Sequence, residues 1–337
     1  MLSNRFSKRL VKPSLKTIAE QAGVSKTTVS FVLNGRGEEK HISAETQKRI
    51  LETARRLNYQ PNHLARSLST GRSYTIGFVV PDISNPFFGK IARLVETYAE
   101  ELGYSVMVAS TGERADKERM ILEAFKNRQI DGVVLAPVSG ESSNYTSDMP
   151  LVCFDRVHSK ETGNTVDINN HETAFLLTER LINKGHRRIA LISLSSFLPN
   201  ITARIKGYKE ALEKNDLCLD ERWIKDIDEK EKKRDVVAAI SDLLAMDEPP
   251  TGFLFLNNVL AAQGIWTINQ LFPHLVDSLH FASFDNLDLF DFAVPKVTSA
   301  LQPSEHIAQE SVKMLMHQIE HRQDMNGVCF STTIIDR

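Results

Sequence analysis

Cysteine is scarce in this chain: Cys153, Cys218 and Cys329 are the three present in 337 residues. Their odd number and wide separation exclude a disulfide framework, and no pair has the close spacing of a zinc site. A reducing, cytoplasmic setting is the expectation. Long apolar runs are also missing. None approaches the ~18 residues that a membrane span needs, and the basic start MLSNRFSKRLVKPSLK has no apolar stretch behind it, unlike a secretory signal. Catalytic signatures are missing as well: there is no glycine-rich phosphate loop, no G-x-S-x-G elbow and no H-E-x-x-H pair. His186, His280 and His306 fall in strand or helix context without an evident partner. No enzymatic activity, no cofactor and no metal are therefore expected.

What is present suits a globular protein of two or three domains: 42% of residues are hydrophobic and 25% charged, enough to bury a real core. The net charge of −2 hides a segregation. Residues 1–72 carry 14 lysines and arginines against 5 acids, and the remainder 27 against 38. A basic head on an acidic body fits a chain with one nucleic-acid-binding end.

Within that head, Leu15, Ile18, Ala19 and Ala22 recur at the spacing of one helix face, and Gly23 ends the helix. Ser25 is placed to cap a second helix whose Val29, Val32 and Leu33 face inward. Lys26, Thr27, Thr28, Ser30 and Phe31 are left to face outward or flank the core. A row of hydroxyls, a cation and a ring suits the major groove, where phosphates and base edges both offer acceptors. The A-G-V-S turn followed by T-V-S is fairly specific for a helix-turn-helix; a helical hairpin that only packs is the plainer alternative. Ser43 opens a third helix with Thr46, Ile50, Ala54 and Leu57 as its buried row. Thr46 stands where a capping box would need Glu or Gln, so the serine cap stands alone. Asn62 can cap a short further helix bearing Leu64 and Leu68, marginal by itself in water.

From Tyr74 onward short β-rich runs alternate with helical patterns, which implies parallel sheets covered on both faces. Two open α/β units follow in tandem. Their strand ends carry Asp82 with Ser84-Asn85-Pro86-Phe87, then Asp155-Arg156, Asn257-Asn258 and Asp285-Asn286. Ligands in such sheets bind at the carboxyl ends of strands, and short acids and amides beside aromatic rings suit a sugar. A single Asp after a strand is more often a helix cap. The recurrence of one residue class at several strand ends favours a pocket.

These residues resemble the LacI/GalR family of bacterial transcription repressors over about Leu15 to Leu315. The resemblance rests on I-A-E-Q-A-G-V-S-K-T-T-V-S (18–30), L-N-Y-Q-P-N-H-L-A-R-S-L (57–68), I-G-F-V-V-P-D-I-S-N-P-F-F (76–88), D-G-V-V-L (131–135), F-D-R (154–156), G-H-R-R-I-A-L-I (185–192) and F-D-N (284–286). It implies an all-α helix-turn-helix headpiece, a hinge helix, and an α/β two-lobed core like a periplasmic sugar-binding protein, with two parallel doubly wound sheets. By position, Lys26, Thr27 and Phe31 would read major-groove bases, and Thr17, Thr28, Ser30 and Asn34 would hold phosphates. Asn62, Ala65 and Leu68 would belong to the hinge, with Ala65 and Leu68 in the minor groove and Leu68 as the wedge. Asn85, Phe87, Phe88, Asp155, Arg204, Asn258 and Asp285 would contact the effector.

Some features depart from the family pattern. The turn at 34–42 is longer than in the lactose repressor, Phe31 stands where many members have arginine, and members often carry Asn-Asp where this chain has Asn257-Asn258. The turn, with S-F-D-N-L-D-L-F-D at 283–291, looks like the branch holding the sucrose repressors and the fructose-responsive catabolite regulator. No leucine heptad tail follows Ile335, so a tetramer of the lactose-repressor kind is not expected.

The implied organisation is a basic arm at 1–13, a DNA-binding domain at 14–60, a hinge and linker at 61–73, and a core at 74–337. The first lobe would hold about 74–171 and 303–323, the second about 172–300 and 326–337. The implied partners are a pseudo-palindromic double-stranded operator, a sugar or sugar phosphate, and a second copy of the chain. A transport-type sugar-binding protein would share the core but not the basic head, and a regulator with a non-sugar effector remains the other alternative.

Overall fold

The computed structural model describes residues 13–59, 71–139, 149–156, 163–194, 198–228 and 231–337. They fall into two compact units, residues 1–71 and 72–337.

Three helices build the first unit. Helix α1 (Leu15–Ala22) starts at Ser14, whose hydroxyl accepts from the Thr17 N–H while the Thr17 hydroxyl accepts from the Ser14 N–H. That reciprocal cap satisfies two helix-start donors at once. Gly23, at φ +63°, ends the helix in the left-handed conformation that glycine adopts without strain. Helix α2 (Lys26–Leu33) is capped by Ser25, as its position suggests, and α3 (Ala44–Arg56) by Ser43. The core joins Ile18, Ala19 and Ala22 to Val29, Val32, Ile50 and Ala54. On α3, Thr53 is fully in the buried row, whereas Thr46 and Leu57 are half-buried. The turn between α2 and α3 is tied down rather than loose: the Arg36 N–H donates to Phe31 O, and the Gln47 side chain to Ile42 O. The expected basic arm and the hinge residues Asn62, Ala65 and Leu68 lie outside the described residues, apart from Pro13.

The second unit holds two six-stranded sheets. Strands β1 (Thr75–Val80), β2 (Ser105–Ser110), β3 (Gly132–Leu135), β4 (Leu151–Phe154) and β5 (Thr165–Ile168) form the first, joined by β11 (Val328–Phe330) in the order β11-β5-β4-β3-β1-β2. Strands β6 (Ile189–Leu194), β7 (Ile224–Ile227), β8 (Gly252–Phe255), β9 (His280–Phe284) and β10 (Val297–Leu301), with β12 (Thr333–Ile335), form the second in the order β12-β10-β9-β8-β6-β7. The two orders are duplicates, strand for strand. Pairing is parallel except between β10 and β12. Helices α4 (Pro86–Glu101), α5 (Ala115–Asn127), α6 (Asn170–Asn183), α7 (Pro199–Lys214), α8 (Lys232–Leu244), α9 (Asn258–Leu271) and α10 (Ser304–His321) cover the sheets. Strands buried on both faces read as near-continuous apolar runs, as β1, β3, β8 and β9 do.

Two strands escape the sequence reading. Thr165-Val166-Asp167-Ile168 and Ile224-Lys225-Asp226-Ile227 are four residues each and interrupted by polar side chains. The C-terminal segment also corrects an expectation. The sequence places residues 326–337 in the second lobe, yet Val328–Phe330 pairs with β5 in the first sheet and only Thr333–Ile335 joins the second. The chain thus passes between lobes three times, at 168–170, 301–304 and 330–333. Two of these crossings are bonded together. Asn169 Oδ1 accepts from the Thr332 N–H at 3.1 Å, and the hydroxyls of Thr173 and Thr332 lie 2.7 Å apart. At the chain's entry to the core, the Asp131 carboxylate receives the N–H groups of Ser73 and Tyr74.

Candidate functional site

On the first unit, α2 carries the candidate reading face. Lys26 and Thr27 are exposed. The Thr28 hydroxyl lies 2.8 Å from that of Ser25, and the Asn34 amide donates to the Ser30 hydroxyl at 3.3 Å. Thr17 is engaged in the cap of α1. Each of these hydroxyls is therefore held in place by a neighbour one helical turn away. Phe31 is half-buried with two cations over its ring, the Arg36 guanidinium and the Lys40 ammonium, each 5.7 Å from its centroid. Glu39 holds Arg36 bidentately at 2.7 and 2.8 Å. The turn after α2 thereby sets a charged cluster against the end of that helix.

In the second unit the polar residues expected at strand ends converge between the two sheets. Asp155 follows β4 and Asp285 follows β9, the corresponding strands of the duplicated order. Each follows a phenylalanine and each adopts a left-handed backbone, at φ +65° and +64°. Aspartate tolerates that conformation better than most residues. Arg204 lies between them on α7, 3% exposed. Its Nε donates to Asn170 Oδ1 at 2.7 Å, its Nη1 to Leu256 O at 2.7 Å, and its Nη2 is 3.9 Å from Asp155 Oδ1. The guanidinium carbon lies over Phe284, 3.8 Å from the ring centroid. One turn further along α7, a side chain at Gly207 would meet the His171 carbonyl at 2.1 Å. The absence of that side chain lets α7 close on α6, bringing Arg204 to Asn170.

Several contacts here join the lobes. Asn258, 1% exposed, donates from Nδ2 to Asn85 Oδ1 at 3.1 Å, and Asn200 Nδ2 lies 3.4 Å from Asp155 Oδ1. Asn85 also caps α4, accepting from the Phe87 N–H at 3.0 Å. The neighbouring amides divide their work: Asn257 caps α9, and Asn258 is the buried one. The Oδ1 of Asn258 is buried without a hydrogen-bond partner among the described residues. A buried acceptor left unmatched is costly, and a hydroxyl donor would satisfy it. Phe87 and Phe88 are buried 5.1 Å apart, Phe88 packing edge-on against Phe154. Asp82 stays outside this convergence, its carboxylate folded onto Ser84. Phe87 and Asp285 also line a cavity of about 350 Å³, together with Lys90, Asp288 and Gln302.

Electrostatics follow from burial. Desolvation pushes the Asp285 carboxyl up to about 6 and that of Asp167 up to about 7, against the opposing pull of Arg204. Asp155 is raised for the same reason, with Arg204 and Arg156 opposing. Gln302 donates to Asp285, and the Ile168 N–H and Asn170 amide donate to Asp167. The supporting residues Asn170, Asn200, Gln302 and Asp167 were not singled out from sequence. Asn170, Asn200 and Gln302 are polar residues at helix starts and crossings, where solvated polar residues are equally common, and Asp167 sits in the short strand β5 that the sequence pattern does not show.

A helix-turn-helix unit joined to a two-lobed α/β unit with a buried polar cluster between its lobes defines a ligand-responsive DNA-binding regulator. Residues 14–62 match the family model described as bacterial regulatory proteins, lacI family. Residues 73–333 match that for periplasmic binding proteins and the sugar binding domain of the LacI family. The chain belongs to the LacI family of DNA-binding transcriptional repressors. It is similar to the ribose operon repressor of Halalkalibacterium halodurans, 33% identical over 313 residues that span 92% of this chain and 91% of the relative. It is also similar to the catabolite control protein A of Priestia megaterium, 30% identical over 332 residues, 91% and 97% of the two chains. The lac repressor dimer bound to operator and the anti-inducer ONPF shares the fold, with a TM-score of 0.82 at 20% identity over 97% of this chain and 98% of that one. Among the described residues, no helix is long and apolar enough to cross a membrane.

Proposed function

We propose that this repressor is a dimer that controls sugar-utilisation genes and whose operator affinity is set by a sugar or sugar phosphate of the sucrose or fructose type bound between the lobes. The observation that carries the reading is the clustering of Asp155, Arg204, Asp285 and Asn258 at the lobe junction. Carboxylates and a guanidinium beside a flat ring are the chemistry that hydroxyl groups and a sugar face require. Asn85, Phe87 and Phe88 supply the first-lobe side of the cleft. A sugar-operon repressor among the relatives agrees with this reading.

In the headpiece, Lys26, Thr27 and Phe31 read base edges, and Thr17, Thr28, Ser30 and Asn34 hold phosphates. The hinge residues Asn62, Ala65 and Leu68 complete the contact in the minor groove, with Leu68 as the wedge. A second copy doubles the reading head over a pseudo-palindrome. An apolar surface on the second lobe supports dimerisation: Leu289, Phe292 and Val294 are exposed, Phe292 to 84%, and Asn269 of α9 anchors the segment at Val294 O. Effector binding alters the spacing of the two hinges. The coupling is reciprocal, so a sugar that weakens DNA binding binds the DNA complex more weakly by the same factor.

The test is calorimetric titration of the full-length protein with sucrose, fructose and their phosphates, with and without operator duplex. Saturable binding that changes when operator is present is expected. Binding by none of these compounds would sink the sugar reading.

A further inference from the structure

Two buried arginines border the cleft, Arg156 just after β4 and Arg204 on α7, and they are committed differently. Arg204 spends Nε and Nη1 on Asn170 and Leu256 O and turns Nη2 toward Asp155. Arg156, next to Asp155, gives both its Nη groups to one carboxylate: Nη1 to Glu113 Oε2 at 2.6 Å and Nη2 to Glu113 Oε1 at 2.7 Å. The Arg156 side chain is 8% exposed, so this fork-to-fork pair is shielded from solvent on the arginine side.

Glu113 is held where it is by its own turn. The N–H groups of Thr111 and Gly112 donate to Val80 O and Pro81 O at the end of β1. Both Gly112 and Glu113 have left-handed backbones, at φ +63° and +58°. That conformation is unfavourable for glutamate and marks a side chain whose placement is over-determined by its surroundings.

We propose that Glu113 sets the charge class of the effector: by occupying Arg156 it withdraws a cation from the cleft and selects an uncharged sugar over a sugar phosphate. This rests on the reading of the cleft as a sugar site and narrows it. A phosphate monoester brings about −1.5 to −2 of charge. Among the buried groups, Arg204 is already set against Asp155 and Asp285, and Arg156 is matched by Glu113, so no buried cation is in surplus. An additional buried anion needs a cation not already neutralised, and both Nη groups of Arg156 are engaged by the Glu113 carboxylate, with Nε 3.7 Å from Asp155. A neutral sugar needs no such cation. Its hydroxyls donate to the aspartates and to Asn258 Oδ1 and accept from Arg204 Nη2. Lys90 and Arg93, the cations that line the cavity, are exposed on α4 and so remain solvated rather than buried.

The experiment titrates full-length protein by calorimetry with two pairs, fructose against fructose 1-phosphate and sucrose against sucrose 6-phosphate. For the wild type, the neutral member that binds should be preferred by about tenfold or more. Glu113→Gln keeps the side chain's size but removes the charge that holds Arg156, and should shift the ratio toward the phosphate by about tenfold. A wild type that binds a phosphate as tightly as its neutral partner overturns the proposal, as does a folded Glu113→Gln protein with an unchanged ratio. Circular dichroism and melting report whether the variant folds; if it does not, the wild-type ratio decides alone. Binding of no sugar in either pair overturns the sugar reading itself, and the discrimination with it.

Discussion

Asp155 and Asp285 occupy the same point in two copies of one topology. Each follows a phenylalanine at the end of a corresponding strand, each has a left-handed backbone, and Arg204 lies between them. A ligand held by both carboxylates is held by both lobes. Asp155→Asn and Asp285→Asn are close to isosteric, so each should leave the fold and operator binding in place. Each should weaken sugar binding by about tenfold or more, since a charged acceptor is replaced by a neutral one. Calorimetry and operator binding on the same preparations check this; unchanged sugar affinity in both variants would remove the pair from the site.

Arg204 is also structural. Arg204→Ala would strip a partner from Asn170 and Leu256 O and leave Asp155 and Asp285 buried with less compensation. Breaking such a buried arrangement costs about 3–5 kcal/mol. The melting temperature of the core should fall by several degrees together with the loss of sugar response. A variant as stable as wild type would show that the guanidinium does not anchor the junction.

Burial of Asp167 gives the stability a pH dependence. Its carboxyl is pushed up to about 7 in the folded protein, above its ordinary value of 3.8. A raised folded value means the native state binds the proton more tightly. This contribution is fully present below about 4 and is lost as the pH rises through about 7. Asp167→Asn should therefore raise the melting temperature at pH 8, by about 2–4 °C per kcal/mol gained in a domain of this size, and change it little at pH 4. Scanning calorimetry at the two pH values decides; an equal shift at both would assign the effect to something other than titration.

Phe292 offers a test of the dimer. It is 84% exposed beside Leu289 and Val294. Phe292→Glu should convert dimer to monomer at micromolar concentration, measured by light scattering, and lower operator affinity by uncoupling two half-site contacts. An unaltered dimer would place the interface elsewhere.

The headpiece was the most legible part of the sequence. Ser25 and Gly23 act as cap and stop because those roles depend on a few neighbouring residues, and Ile18, Val29 and Ile50 meet because periodicity fixes their faces. The core strands were legible where they are continuous apolar runs. They were hidden at β5 and β7, where polar residues break short strands, and at β11, whose choice of sheet depends on a pairing some 160 residues away. In the cleft the acids at strand ends could be named, since their position after a strand is local. Glu113 could not: it reaches Arg156 only because the turn at Thr111 and Gly112 is bonded to β1.

The most direct test is fluorescence anisotropy of the full-length protein on a palindromic duplex from upstream of a sugar operon, titrated with salt and with sugar. Specific binding should weaken steeply as salt rises, exceed binding to a scrambled duplex by about a thousandfold or more, and change on addition of one sugar of the set. Equal affinity for both duplexes, or specific binding that no sugar alters, would contradict a sugar-controlled operator-binding protein.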